Sequence, residues 1–386
     1  MRLIRWLRQA GLAGALAALQ FNALAVTALV PGRDDEVLEV LPAVTRIRPA
    51  ASAAMSQTRA PNAPVAALQA RQDIAVARQT GDTRYWGRAQ AALAPWWDKP
   101  NAPVDMAVLQ ATVQQGRHEF EASRNVLAAA LTRAPGHAQG WLNMAALERL
   151  SGRYAQSLKA CDAVEHAGQM LYAQACRLET QSLQGRPAAL GGLQALLAQS
   201  SNDQQRSWLL SLLAESQERS GRDAAAAQSY VGSLVLSPDL YTSIAYSDLL
   251  LRTGKIKAAL EVLEPLPETD AVLLRRAAAW RRMGDARWSA IRATLRERVA
   301  ELERRGDDPF LHGRELALAA LWLDDDAPAA LALARRNLQL QREPIDWWAA
   351  LQSARLAKDK AAVAEIDAAV RATGLVDVRL SPTSHP

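Results

Sequence analysis

A glycine followed by a charged residue recurs along this chain, at Gly81-Asp82, Gly116-Arg117, Gly152-Arg153, Gly185-Arg186, Gly221-Arg222, Gly254-Lys255 and Gly284-Asp285. The intervals are 35, 36, 33, 36, 33 and 30 residues, with a mean of about 34. A period of this length marks an array of small structural units, each of which buries its apolar face only by stacking on its neighbours. Between the glycines the common residues are Ala, Leu, Arg, Gln and Glu, which favour helix. Each unit therefore reads as helix, turn, helix. The glycine ends the first helix in a left-handed conformation and opens a tight turn into an antiparallel partner.

Helices that cross closely need small side chains at the crossing. Seven residues before five of the glycines stand Ala145, Leu178, Ala214, Ser247 and Ala277. Five residues after the same glycines stand Ser157, Leu190, Ala226, Ala259 and Ser289. Only the Gly185 unit departs from the pattern, with leucine at both places.

These units resemble the tetratricopeptide repeat family. In the unit from Trp208 to Pro238, Gly221, Ala226, Tyr230 and Pro238 stand where that family places its glycine, small crossing residue, aromatic and terminating proline. The unit beginning at Trp141 matches through Ala145, Gly152 and Tyr154, and the unit around Gly254 through Ala259 and Leu260. The resemblance implies an all-α, right-handed superhelical solenoid of antiparallel helix pairs, about nine units over residues 65–374. It also implies a non-catalytic scaffold that binds protein, with a concave face lined by the first helix of each pair. Exported bacterial members of the family serve envelope assembly, export machines or polysaccharide secretion, so an envelope or export component is the partner it suggests.

The C-terminal third departs from the glycine pattern. Asp285 to Arg305 reads as one long helix, followed by two pairs turning near Asp324-Asp325-Asp326 and Lys358-Asp359. Aspartate there replaces the turn glycine and caps the following helix. Gly374 closes the last helix, and Val376 to Leu380 alternates like a short strand in a tail over residues 375–386.

The N-terminus has the form of a secretory signal: Arg2, Arg5 and Arg8, an apolar run from Ala10 to Leu19, and Ala23-Leu24-Ala25 as a cleavage site. Residues 1–25 are accordingly expected to be removed, leaving a periplasmic or secreted protein. The alternative is an uncleaved membrane anchor extending to Val30, although Gln20 and Asn22 interrupt the span. Residues 26–64 carry Pro31, Pro42, Pro49, Pro61 and Pro64 and read as a linker or extended arm. The formal net charge of +5 falls to +2 without the three N-terminal arginines. No basic run tracks a phosphate backbone, so nucleic acid is not an expected partner.

Catalytic chemistry has little to stand on. The five histidines form no HExxH spacing, and there is neither a phosphate-cradling loop nor a GxSxG elbow. No cofactor, metal or catalytic residue is expected. The two cysteines are more informative: Cys161 lies seven residues before Gly168 and Cys176 eight after it. Across an antiparallel pair turning at Gly168 they stand at similar height, and an exported chain meets oxidising conditions. A Cys161–Cys176 disulfide is therefore expected. The alternatives are two buried thiols and, more remotely, a metal site with His166.

Tyr172, Trp208 and Tyr241 each lie 13 residues before their unit's glycine, on one face of three successive first helices. They form either an aromatic groove on the concave surface, suited to an extended peptide or a carbohydrate, or core packing between helices. Trp96-Trp97 and Trp347-Trp348 flank the array. Neighbours on a helix diverge by about 100°, so one of each pair either meets a partner or anchors a helix start.

Overall fold

The computed structural model describes residues 62–306 and 308–381. Among them are eighteen α-helices in nine successive antiparallel pairs. The first four pairs are α1 (Ala63–Thr80) with α2 (Arg84–Leu93), α3 (Val104–Gly116) with α4 (Phe120–Arg133), α5 (Ala138–Leu150) with α6 (Tyr154–His166), and α7 (Met170–Leu183) with α8 (Ala188–Gln199). The fifth to seventh are α9 (Asp203–Arg219) with α10 (Asp223–Leu236), α11 (Leu240–Arg252) with α12 (Ile256–Leu263), and α13 (Asp270–Arg282) with α14 (Arg287–Arg304). The last two are α15 (Gly313–Trp322) with α16 (Ala327–Asn337), and α17 (Pro344–Leu356) with α18 (Lys360–Thr373). No strand occurs among the described residues, and Val378–Leu380 forms a 3-10 turn. The alternation at Val376–Leu380 thus does not make a strand. Among the described residues no segment forms a ladder with it; a single backbone bond, from the Val376 amide to the Leu183 carbonyl, ties it to the turn of an earlier repeat.

The helix crossings follow the small-residue rule. Ala145, Ser157, Ala214, Ala226, Ser247, Ala259 and Ala277 are fully buried. In the fourth pair, where leucine stands at both expected places, Gly192 makes the room. A methyl group there would sit 2.4 Å from a Leu178 Cδ. Six of the seven recurrent glycines take positive φ: Gly81, Gly152, Gly185, Gly221, Gly254 and Gly284. Gly116 does not. It ends α3 within the helix, and His118, two residues on, takes φ +62°. Glycine is needed at 116 because the Trp86 ring packs on it, 2.3 Å from where a Cβ would stand. In the aspartate turns Asp325 and Lys358 take the left-handed conformation, and Asp326 and Asp359 cap α16 and α18.

The winding is tight. The turn of the first pair, at Gly81, lies against Thr269 and Leu240, which border the sixth pair. His118, in the second turn, meets the Leu311 carbonyl between the seventh and eighth pairs. At the third turn the Leu150 carbonyl accepts from the Arg342 amide, between the eighth and ninth, at 2.7 Å. At the fourth the Leu183 carbonyl accepts from the Val376 amide at 2.8 Å. At the fifth Glu218 pairs with Arg379 at 2.9 Å. The offset is thus steady at five to six pairs. A second superhelical layer lies on the turn edge of the first, and the C-terminal tail continues it. The mid-array helix α9 is accordingly buried on nearly every side over its last two turns, Glu218 and Arg219 included.

Candidate protein-binding surface

Tyr172, Trp208 and Tyr241 lie near the starts of α7, α9 and α11, one helical register in three consecutive pairs. They do not form a continuous ladder. The Tyr172 and Trp208 rings pack with centroids 5.7 Å apart. Trp208 also leans on the core formed by Leu193, Leu209 and Leu212, so it serves both packing and surface. Tyr241 makes no such stack and is 60% exposed. Its hydroxyl donates to the Glu215 carboxylate at 2.9 Å.

Tyr241 is solvated yet surrounded by protein charge. Glu215 holds the phenol well above its ordinary range, and Glu343 and Glu179 act in the same direction. Burial raises the Glu215 carboxyl against the opposing pull of Arg219. Glu343, from the ninth pair, also reaches Tyr154 in the third, whose hydroxyl burial pushes up to about 12. The second helix of the third pair, the first helices of the fourth, fifth and sixth and the start of the ninth therefore contribute to one electrostatic neighbourhood. The sequence pattern marked the aromatics there. It carried no sign of Glu179, Glu215 and Glu343, which the superhelical winding brings together.

Cys161 and Cys176 form a disulfide, with Cα atoms 5.6 Å apart. It joins α6 to α7, hence the third pair to the fourth, inside a core that includes Ala145 and Ala160. Both cysteines are buried. The paired tryptophans are packing residues. Trp347 is buried, Trp348 tilts against Trp322, and Trp96 and Trp97 pack on the core of the first two pairs. Of the aspartate run, Asp324 pairs with Arg292 and Asp325 with Arg281. Among the described residues no group of three or more His, Cys, Asp or Glu is arranged to hold a metal ion. No described helix is long and apolar enough to cross a membrane. The export signal and nearly all of the proline-rich arm lie outside the described residues.

A second surface carries no sequence motif. Helix α14 has no buried residue, and a groove of about 350 Å3 separates it from α15 and α16.

No family model matches the chain, and no curated protein does. Among solved structures, the TPR domain of P58(IPK) is similar at 14% identity, over 76% of this chain and 98% of that one, with a TM-score of 0.22.

Proposed function

We propose that this chain is a non-catalytic scaffold of the bacterial envelope or periplasm that holds a protein partner against the face carrying Tyr172, Trp208 and Tyr241. The observation that carries the reading is the state of Tyr241. A large aromatic side chain, 60% exposed on a first helix, is held in place by Glu215, one pair along from Trp208, whose ring tilts against that of Tyr172. Exposed tyrosines with fixed geometry are common anchors at protein interfaces, because they bury area at small cost in side-chain entropy. The carboxylates around it suit a segment bearing Lys or Arg. A buried disulfide fits an oxidising compartment.

In-cell crosslinking of the full chain, with identification of the neighbours, is the test. Tyr241→Ala should lower stability by no more than about 1–3 kcal/mol, the cost of taking one donor from the Glu215 carboxylate. It should also remove most of the partner adduct. Trp208→Ala should weaken both, because that ring also packs on core. A partner adduct of undiminished yield in Tyr241→Ala sinks the assignment of this face.

A further inference from the structure

The winding leaves a chamber of about 50 Å3 where the ends of α9, α11, α13 and α15 meet the start of α17 and the C-terminal tail. Leu251, Trp322, Ile345 and Trp348 form its apolar side, with the two indole rings tilted together at 6.2 Å between centroids. Arg252, Arg282, Arg379, Glu218 and Asp248 form its charged side. A water occupies about 10–15 Å3 of such space, so the chamber takes a group of roughly three to five heavy atoms. Arg282 is exposed, which leaves the chamber open to solvent on that wall.

Pairing on the charged side is uneven. Asp248 accepts from Arg275 with both oxygens, at 2.7 Å each. Glu218 accepts from Arg252 and Arg379 and from the Tyr230 hydroxyl. Asp223 and Asp377, which do not line the chamber, pair with Arg252 and Arg379 in turn. Four carboxylates thus meet four arginines and the cluster is neutral as a whole, yet Arg282 stands outside the pairing. Its Nη1 donates to the Leu251 carbonyl at 2.8 Å, and it reaches no carboxylate among the described residues. A guanidinium carries five N–H groups, so most of its donors are uncommitted. On the same side of the chamber the Nε–H of Arg252 is buried with no acceptor. A buried donor in that state answers to a water or a bound ion. Desolvation lowers the Arg282 pKa, and Asp248 alone acts against it. Arg252 ends above its ordinary value despite desolvation, because Asp223 and Glu218 face it.

We infer that this chamber binds one carboxylate group, which accepts from Arg282 and lays its carbon stem against Trp322 and Trp348. The uncommitted donors call for an acceptor, and the two oxygens of a carboxylate match the guanidinium fork. A carboxylate head of three heavy atoms also fits the volume. A dianion such as phosphate suits the site less, because Glu218 and Asp248 on the same wall repel the second charge. The carboxylate comes either on a small free acid or on an Asp or Glu side chain of a partner protein, with the same chemistry at the wall. Arg379 belongs to the tail, so a ligand that needs the complete chamber also holds the tail in its seat. Arg252 stands 11 residues beyond Tyr241 on α11, about 16 Å at 1.5 Å per residue, so the chamber stands or falls separately from the aromatic face.

The test titrates the purified full-length protein at neutral pH and constant ionic strength, with chloride as the replaced anion. The probes are propionate, a blocked tripeptide with a central glutamate, the same tripeptide with glutamine, and inorganic phosphate. Binding is read from the indole N–H resonances of Trp322 and Trp348. Saturation by propionate shows that a free acid suffices; saturation by the glutamate peptide alone shows that the carboxylate must come on a protein. Arg282→Gln should weaken either at least about tenfold, and Arg282→Lys, which keeps the charge and loses the fork, by less. Melting temperatures confirm folding, and the lysine variant keeps the test alive if the glutamine variant does not fold. Arg287→Gln removes an arginine that is paired with Asp285 and does not line the chamber, and should leave binding unchanged. With ligand about tenfold above its Kd, hydrogen exchange at the Val376 amide should slow by about tenfold, because the tail must leave for that amide to open. No saturable shift from either carboxylate, equal shifts from the glutamine peptide or phosphate, full binding by folded Arg282→Gln, or unchanged exchange at Val376 in the saturated protein overturns the inference.

Discussion

Glu218 and Arg379 are 161 residues apart in sequence, yet their side chains meet at 2.9 Å where the C-terminal tail crosses the fifth turn. Glu218 is 4% exposed and also accepts from Arg252 and from the Tyr230 hydroxyl. Arg379 is held besides by Asp377. Removing either partner leaves the other's charge buried with fewer bonds. Breaking such a pair costs about 3–5 kcal/mol, and the remaining partners place each single variant near the lower bound. Arg379→Ala, Glu218→Ala and the double variant form a cycle. Its coupling energy should be about 1.5–3 kcal/mol, the range for a hydrogen bond to a charged group. The loss should be local at first. The Val376 amide donates to Leu183 at 2.8 Å only while the tail is seated. Hydrogen exchange at Val376 should therefore accelerate by roughly tenfold to a hundredfold in Arg379→Ala, while amides of α3 keep their protection. Raised salt should leave most of the coupling intact, because buried pairs are poorly screened. A coupling below about 0.5 kcal/mol, or unchanged exchange at Val376, would refute the idea that this pair holds the tail on the first layer.

Four further outcomes are expected. Replacing both Cys161 and Cys176 by Ala opens a loop whose ends are 15 residues apart in sequence; unfolding should become easier by about 3 kcal/mol on loop entropy, and thiol titration of the unreduced wild type should find no free cysteine. Gly116→Ala drives a methyl group into the Trp86 ring and should cost about 1–3 kcal/mol. Gly87→Ala, in mid-helix with nothing within 4 Å, should instead stabilise by about 0.5–1 kcal/mol, so urea midpoints moving in the same direction would contradict the packing. Glu215 has a folded-state pKa raised by burial, so its ionisation opposes folding at neutral pH and the penalty lifts as pH falls through that raised value; the stability advantage of Glu215→Gln measured at pH 7 should shrink towards pH 4.5, and a pH-independent difference would count against this account.

Much of the repeat lattice could be read in the chain because it is local. A turn glycine, a small residue seven before it and another five after it act within one helix pair, where spacing alone determines which side chains meet. Cys161 and Cys176 flank one turn, so their equal height could be read in the same way. Some local signals were ambiguous. Gly116 belongs to the glycine period but serves a close ring contact rather than a left-handed turn. Leu178 breaks the small-residue rule because Gly192, at a place the period does not mark, supplies the room. Trp347 and Trp348 gave no clue that α15 and the neighbouring pairs would cover both.

By itself the sequence determined the all-α class, the number of pairs and their register, since helix propensity, capping and crossing residues are short-range properties. Only the tertiary structure decided how steeply the pairs wind. Small rotations at each junction add up over five to six pairs, and no periodic residue encodes their sum. That winding seats Val376 on Leu183 and Arg379 on Glu218, gathers Glu179, Glu215 and Glu343 about Tyr241, and leaves α14 standing clear of its neighbour. The aromatic face proposed for a partner follows from those long-range placements, which is why it was only half visible in the sequence, and the groove beside α14 was not visible at all.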